Sequence, residues 1–127
     1  MSNTFQLEAI GQIHIGVTDI NRAVAFYRDI LGMKLLFEVP DQKMAFFDCG
    51  GVRLYLSADQ IEEFRSNPLI YYRVADMDEA YKSLSANGVK FKAKPHIVHR
   101  TAEYELWMAG FRDPEGNFIH LMCEAPP

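Results

Sequence analysis

The chain has 127 residues and a mass of 14.6 kDa, which is the length of one ordinary domain. With 49% apolar and 24% charged residues it can bury a core, so an intrinsically disordered chain is excluded. The net charge of −4, without a basic run, argues against a nucleic-acid partner, and no stretch reaches the roughly 20 apolar residues of a membrane span. Two cysteines exclude a disulfide framework, and the N-terminus lacks the pattern of a signal peptide, so we expect a soluble cytoplasmic protein.

The first predicted elements are a strand and a helix. Apolar residues alternate over residues 13–17, which is typical of a strand, and Asp19 can cap the first turn of the following helix. That helix has an apolar stripe at positions i, i+3, i+4 and i+7, and we expect it to end at Gly32. An extended run over residues 34–39 and a hairpin around residues 48–56 complete this half.

The second half repeats this pattern, starting 57 positions further along the chain. A strand over residues 70–74 leads to an N-cap at Asp76, and the next helix is expected to end at Gly88. A second extended run, over residues 89–94, and a hairpin around residues 113–121 follow. Each half is therefore predicted to contain a strand, a helix and three further strands.

Two stretches interrupt the repeat. Residues 58–68 are acidic and polar and are predicted to link the halves, with one helical turn at residues 61–65. Residues 95–104 have no counterpart in the first half, are predicted to form a loop, and carry His96 and His99. The predicted organisation is a single domain over residues 1–127, with module one at about 10–57 and module two at about 69–124.

Strand alternation also sorts the side chains onto two faces of each predicted sheet. The apolar residues are expected to face the helices, whereas the opposite faces combine aromatic and polar residues. A plain core would be more uniformly aliphatic, so this mixture predicts a cavity that binds a small molecule. The residues assigned to the cavity by alternation are His14, Arg53, Tyr55, Tyr71, Arg73, Phe118, His120 and Met122.

The repeated pattern resembles the vicinal oxygen chelate superfamily, which includes glyoxalase I, bleomycin-binding proteins and extradiol dioxygenases. The residues that carry the resemblance are His14-Ile15-Gly16-Val17 with Asp19, residues 25–32 and residues 111–117. The resemblance implies an α+β fold in which two βαβββ modules pair into curved mixed sheets around a cavity, with the helices outside. It also implies a homodimer, with the cavity either within one chain or between subunits.

The resemblance further implies a set of four metal-ligand positions, held in this chain by His14, Tyr55, Tyr71 and His120. The family often has His or Gln on the first strands and Glu on the last ones, so His14 is the one residue of the expected type. His120 can still bind a metal, whereas phenols keep their proton near neutral pH and are poor ligands. The implied cofactor is one divalent metal (Zn, Ni, Fe or Mn) on His14 and His120. Waters or substrate would complete its shell, and His96 or His99 is a candidate third ligand. The alternative, two histidines lining a metal-free cavity, stays open.

Two functions are compatible with these residues. One is a metal-dependent lyase or isomerase that stabilises an enolate-type intermediate, with Tyr55 and Tyr71 as catalytic hydrogen-bond donors or proton carriers. The other is a metal-free protein that binds and sequesters a small molecule or drug. A ring-opening dioxygenase is disfavoured, because no carboxylate occupies any of the four positions. In both hypotheses the ligand-binding residues are Arg53, Arg73, His96, His99, Trp107, Phe118 and Met122.

Overall fold

The computed structural model of this chain describes residues 5–58 and 68–127. In the first half the helix continues through a π-helical turn and is followed by a three-stranded meander. The elements are β1 (Gln12–Gly16), α1 (Ile20–Ala25), the π-helical turn (Phe26–Ile30), β2 (Lys34–Val39), a 3₁₀ turn (Pro40–Gln42), β3 (Met44–Cys49) and β4 (Val52–Ser57). The second half comprises β5 (Ile70–Arg73), α2 (Met77–Ala86), β6 (His96–Arg100), β7 (Glu105–Arg112) and β8 (Phe118–Ala125).

Each half forms a four-stranded mixed sheet, with strand order β1-β4-β3-β2 in the first and β5-β8-β7-β6 in the second. The first strand of each half runs parallel to the last, and the other neighbours are antiparallel. The predicted α+β class with two βαβββ halves is therefore confirmed. Within the described residues, no helix is long and apolar enough to cross a membrane.

The predicted helix boundaries are confirmed by their capping contacts. The Asp19 carboxylate accepts a hydrogen bond from the Arg22 backbone N–H at 3.0 Å, and the Asp76 carboxylate accepts one from the Glu79 N–H at 3.0 Å. Such a cap satisfies a backbone donor that the helix itself leaves unpaired. The helices end before Gly32 and Gly88, whose φ angles of 72° and 91° favour glycine.

The helix-facing sides of both sheets join α1 and α2 in one continuous hydrophobic core. The strand faces predicted from alternation are confirmed, since most of the side chains assigned to this side pack in this core and several are almost fully buried. Each contributes roughly 1.5–3 kcal/mol by leaving water. They include Ile15 (2% exposed), Leu54 (2%), Leu56 (0%), Ile119 (3%) and Leu121 (4%).

Polar contacts also tie the first helix to the β7–β8 turn. The Tyr27 hydroxyl donates a hydrogen bond to Asp113 Oδ2 at 2.8 Å, and both residues are buried. Burial and the Asp113 charge raise the pKa of Tyr27, which keeps the hydroxyl protonated as a donor. Glu115 in the same turn accepts hydrogen bonds from the Asp19 backbone N–H at 3.0 Å and from the Arg22 guanidinium at 2.8 Å. The halves are therefore joined by both apolar and polar contacts.

Two predictions about the second half are wrong. The predicted extended run over residues 89–94 is not a strand, because only Phe91 forms an isolated bridge, to Phe111. The Phe91 ring lies between those of Tyr81 and Phe111, at 4.8 and 5.1 Å, so aromatic packing fixes this segment in place of a ladder. The predicted loop at 95–104 is instead mostly the strand β6.

The loop between β6 and β7 is short because a threonine closes it. The Thr101 hydroxyl accepts hydrogen bonds from the backbone N–H groups of Glu103 and Tyr104 at 3.1 and 3.0 Å. The extra residues of the second half, 95–104, thus form β6 and the turn that joins it to β7 in a hairpin. The helical turn predicted at residues 61–65 lies outside the described residues.

Candidate functional site

Each sheet has a face that turns away from the helices and carries a histidine, His14 on the edge strand β1 and His120 on the inner strand β8. We call these the first histidine face, with His14, Phe37, Phe46, Arg53, Tyr55 and Ser57, and the second histidine face, with Tyr71, Arg73, Gly110, Phe118, His120 and Met122. Strand register places these residues together, because directly paired residues and residues two apart point to the same side. Both predicted tyrosines thus lie beside the predicted histidines, Tyr55 opposite His14 and Tyr71 opposite His120.

The first histidine face is an aromatic stack that runs across three strands. The Tyr55 ring lies parallel to that of Phe46, with centroids 4.6 Å apart and an angle of 4°, and Phe46 stacks on Phe37 at 4.5 Å. His14 meets Tyr55 edge to face at 4.8 Å. The His14 Nε2 atom lies 2.9 Å from the hydroxyl of fully buried Ser57, a hydrogen bond that fixes the ring. The face is thus rigid and mostly aromatic.

The second histidine face holds its imidazole between two aromatic rings. The His120 ring stacks on the Tyr71 ring, with centroids 4.5 Å apart and an angle of 19°. Its centroid also lies 4.6 Å from that of the Phe118 ring, which precedes it by two residues in β8. The strand beneath them makes room at Gly110, where a Cβ atom would lie 2.5 Å from Phe118 Cε1. Glycine at this position therefore lets the Phe118 ring lie close to the sheet.

The electrostatics of the second face favour a neutral imidazole. Burial lowers the pKa of His120, and the nearby charge of Lys92 lowers it further. His120 Nδ1 is buried and has no hydrogen-bond partner among the described residues. The two aromatic rings therefore supply the flat surfaces of this face, and the neutral imidazole between them supplies a polar edge.

A bulge in β6 adds two more histidines to this side of the sheet. The register with β7 shifts between Ile97 and His99, so that His96 pairs with Met108 and His99 pairs with Leu106. Both partners lie on the second histidine face, so both histidines do as well. They are exposed, and His96 Nδ1 lies 3.2 Å from the Lys94 carbonyl oxygen.

The predicted arginines and methionine lie at the margins of the two faces. Arg53 is exposed, and its guanidinium carbon lies 5.9 Å from the centroid of the Phe46 ring. Arg73 is exposed at the end of β5 and pairs with Met122. Arg73 and Met122 line a cavity of about 580 Å³ between the sheets, together with Tyr71. The structure therefore brings these residues beside the stacked rings.

Trp107 lies on the other side of the second sheet from His120. It pairs with Cys123, which points toward the helices. There Trp107 lines a cavity of about 650 Å³ beside α2, together with Tyr81 and Met77. The structure does not bring Trp107 to the histidine face with the other predicted ligand-binding residues.

The sequence analysis did not place four residues of these faces beside the stacked rings. Phe46 and Phe37 belong to the first stack, and Lys92 and Arg112 lie near the Phe118 ring of the second face. The hairpin register was the signal for Phe46, because a residue opposite Tyr55 must share its face. No sequence signal places Lys92, since its position depends on the aromatic packing of the segment around it.

The four positions predicted to bind a metal do not form a complete ligand set in this chain. They supply two imidazoles and two phenols but no carboxylate, and a catalytic metal ordinarily takes three or more protein ligands. One imidazole, His14, is hydrogen-bonded to Ser57 through Nε2. Among the described residues, no group of three or more His, Cys, Asp or Glu side chains is arranged to hold a metal ion. The metal role of His14 and His120 stays a prediction.

Comparison with known proteins agrees with the sheet architecture. Residues 9–121 match the sequence profile of the Glyoxalase/Bleomycin resistance protein/Dioxygenase superfamily. The chain belongs to this superfamily. It is 31% identical to the protein YraH of Bacillus subtilis (strain 168), over 87% of this chain and 94% of YraH. It is 29% identical to the metallothiol transferase FosB of Staphylococcus saprophyticus, over 91% of this chain and 76% of FosB.

Among solved structures, the superfamily fold is shared with TnmS3, an antibiotic binding protein from a Streptomyces species. The TM-score is 0.76 at 23% identity, over 96% of this chain and all of the other. The proteins similar to this chain thus include one named as a transferase and one named as a binding protein, so the fold alone does not determine the chemistry.

Proposed function

We propose that this superfamily member binds a planar small molecule on its histidine faces and needs no metal to do so. The observation that carries the proposal is the His120 imidazole, stacked against the Tyr71 and Phe118 rings at 4.5 and 4.6 Å. The neighbouring rings cover both faces of this imidazole, so the flat surface open to a ligand belongs to the outer rings, such as Tyr71, which is 44% exposed. Aromatic stacking of this type contributes about 0.5–1.5 kcal/mol per ring pair.

The first histidine face supports the same conclusion. Its rings form one stack from Phe37 through Phe46 to Tyr55, with centroid distances of 4.5 and 4.6 Å. A stack fixed by a hydrogen-bonded His14 is preorganised, so little side-chain entropy is lost when a ligand is bound. The metal-dependent lyase or isomerase would instead require ligands that these positions lack.

We propose that two copies of the chain form the complete site, each covering the other's histidine faces. Large apolar side chains at these faces and on the edge strands beside them support a homodimer, since such groups in clusters mark interaction surfaces. They are Leu36 (40% exposed), Phe37 (47%), Tyr71 (44%) and Val98 (46%). In light scattering we expect a dimer for the native chain and a monomer for Phe37→Asp. The control, Leu69→Asp, changes another exposed apolar residue and should remain a dimer. A monomeric native chain would contradict this proposal.

Binding can be tested with 2-naphthamide, a neutral planar probe, in a buffer that contains a chelator. We expect Phe118→Ala and Tyr71→Ala each to lower the affinity for the probe by about 3- to 10-fold, because each removes one stacking ring. Tyr81→Ala removes a ring on the helix side and serves as the matched control. NMR shift changes at Trp107 in place of His120 would place the ligand elsewhere and overturn the proposal.

A further inference from the structure

The second histidine face ends in two positive charges placed against one aromatic ring. The Lys92 ammonium nitrogen lies 5.4 Å from the centroid of the Phe118 ring, and the Arg112 guanidinium carbon lies 5.0 Å from it. Both distances fall within the range of cation–π attraction. We call Lys92 and Arg112 the cation pair.

The cation pair is not neutralised by acidic side chains. In the described part of the chain neither residue forms an ion pair with a carboxylate. The acidic residues just after Arg112 already have partners, since Asp113 accepts from the Tyr27 hydroxyl and Glu115 binds Arg22. A positive region therefore remains on this face of a chain whose net charge is −4.

The positive charge also reaches the centre of the face. The Lys92 ammonium lies near enough to His120 to contribute to the lowered pKa of the imidazole, after the larger effect of burial. Arg112 is held in place by a hydrogen bond from Nη1 to the Gly116 carbonyl oxygen at 2.8 Å, and its other N–H groups do not take part in that bond. A cationic ligand would be repelled here, whereas an anionic group would find two positioned donors.

We propose that the ligand of the second histidine face is a planar organic acid, with its carboxylate held by Lys92 and Arg112 and its conjugated body on the Phe118 and His120 rings. This inference rests on the proposed function and names the ligand class of that site. Both cations lie over the Phe118 ring, which itself lies 4.6 Å from the His120 ring, so a carboxylate held by them brings the attached ring system to this pair. Attraction of this kind weakens as salt screens the exposed charges.

The test compares 2-naphthoate with 2-naphthamide, which have nearly the same shape and differ in charge. In isothermal titration calorimetry at low salt we expect the native protein to bind naphthoate about 10-fold more tightly than naphthamide, a difference of about 1.4 kcal/mol. Lys92→Met should remove most of this preference, measured as the ratio of the two dissociation constants. Lys90→Met changes an exposed lysine of the same segment and should keep the preference.

The outcomes separate this inference from the proposed function. Equal binding of both probes to the native protein overturns the organic-acid ligand and leaves planar-ligand binding in place, whereas binding of neither probe overturns both. If Lys92→Met does not fold, Arg112→Gln gives a second variant. In the native protein, naphthoate affinity should also fall several-fold between 50 and 500 mM salt, while naphthamide affinity should not; a salt-independent preference for naphthoate would contradict the role of the cation pair.

Discussion

The turns that close the two sheets lie at matching places in the repeat, yet they hold very different contacts. In the β7–β8 turn, the Asp113 carboxylate is 5% exposed and accepts four hydrogen bonds. The donors are the Tyr27 hydroxyl at 2.8 Å, the Asn117 side-chain amide at 3.1 Å, and the backbone N–H groups of Glu115 and Asn117 at 2.9 and 2.8 Å. This turn is a fully paired polar network.

The β3–β4 turn has Gly50 where the other has Glu115, and so lacks a side chain that could reach the second helix. A cavity of about 650 Å³ lies beside this turn, lined by Asp48 and Cys49 on one side and Asp76 on the other. In the second turn, by contrast, Glu115 accepts hydrogen bonds from the start of the first helix. Two equivalent turns of a repeated fold can therefore differ: hydrogen bonds hold the β7–β8 turn to the first helix, whereas a cavity lies beside the β3–β4 turn.

The largest expected effect comes from removing the carboxylate at each turn. Asp113→Ala leaves the Tyr27 hydroxyl and buried N–H groups unpaired and should lower the free energy of unfolding by about 3 kcal/mol. Asp48→Ala, at the matching position of the first turn, should cost less than about 1 kcal/mol. Urea denaturation measures both, and equal losses would show that the two turns contribute alike.

The next largest effect is expected at Gly110, where β7 lies close to the Phe118 ring of the second histidine face. Gly110→Ala places a Cβ atom 2.5 Å from Phe118 Cε1 and should cost about 1–3 kcal/mol while displacing the ring from His120. Gly11→Ala, where an added Cβ meets nothing within 4 Å, is the matched control. An unchanged melting temperature and unchanged His120 NMR signals in Gly110→Ala would contradict the packing described for this face.

The smallest expected effect is the pH dependence of stability that Glu115 gives to the β7–β8 turn. Burial alone would raise the pKa of Glu115, but hydrogen bonds from Arg22, Thr18 and Asp19 outweigh it and hold the pKa below 4.5. A carboxyl with a lowered folded-state pKa stabilises the fold above its unfolded pKa, and this stability is lost as the pH falls through the folded value.

Glu115→Gln removes that titration. Its free energy of unfolding should be about 1 kcal/mol below that of the native chain at pH 7, with the gap closing as the pH falls below 4.5. Asp78→Asn changes an exposed carboxylate and should show almost no gap at any pH. A gap for Glu115→Gln that does not shrink at all between pH 7 and pH 3 would contradict the role of the charged carboxylate.

Much of the fold could be predicted because local signals agree with the tertiary structure. Asp19 and Asp76 cap their helices, and Gly32 and Gly88 adopt the left-handed conformation expected of helix ends. The alternation that assigned Ile15 and its neighbours to the core depends only on the two-residue period of a strand.

The remaining features depend on contacts between distant segments. Residues 89–94 alternate like a strand, but the Phe91 ring packs between Tyr81 and Phe111 and no ladder forms. The side of the sheet taken by Trp107 could not be derived from alternation, since its neighbours in β7 are nearly all apolar. His96 and His99 share a face only because of a bulge in β6 that the sequence does not mark.

The central claim is that the histidine faces bind a planar ligand through their rings and not through a metal. The most direct measurement is the dissociation constant of 2-naphthamide for protein stripped with a chelator, compared with the same protein after addition of Zn²⁺, Ni²⁺, Fe²⁺ or Mn²⁺. Our account predicts the same constant in every sample, and a loss of affinity of about 3- to 10-fold in Phe118→Ala. Binding that appears only after a metal is added, and that disappears in both His14→Ala and His120→Ala, would contradict it.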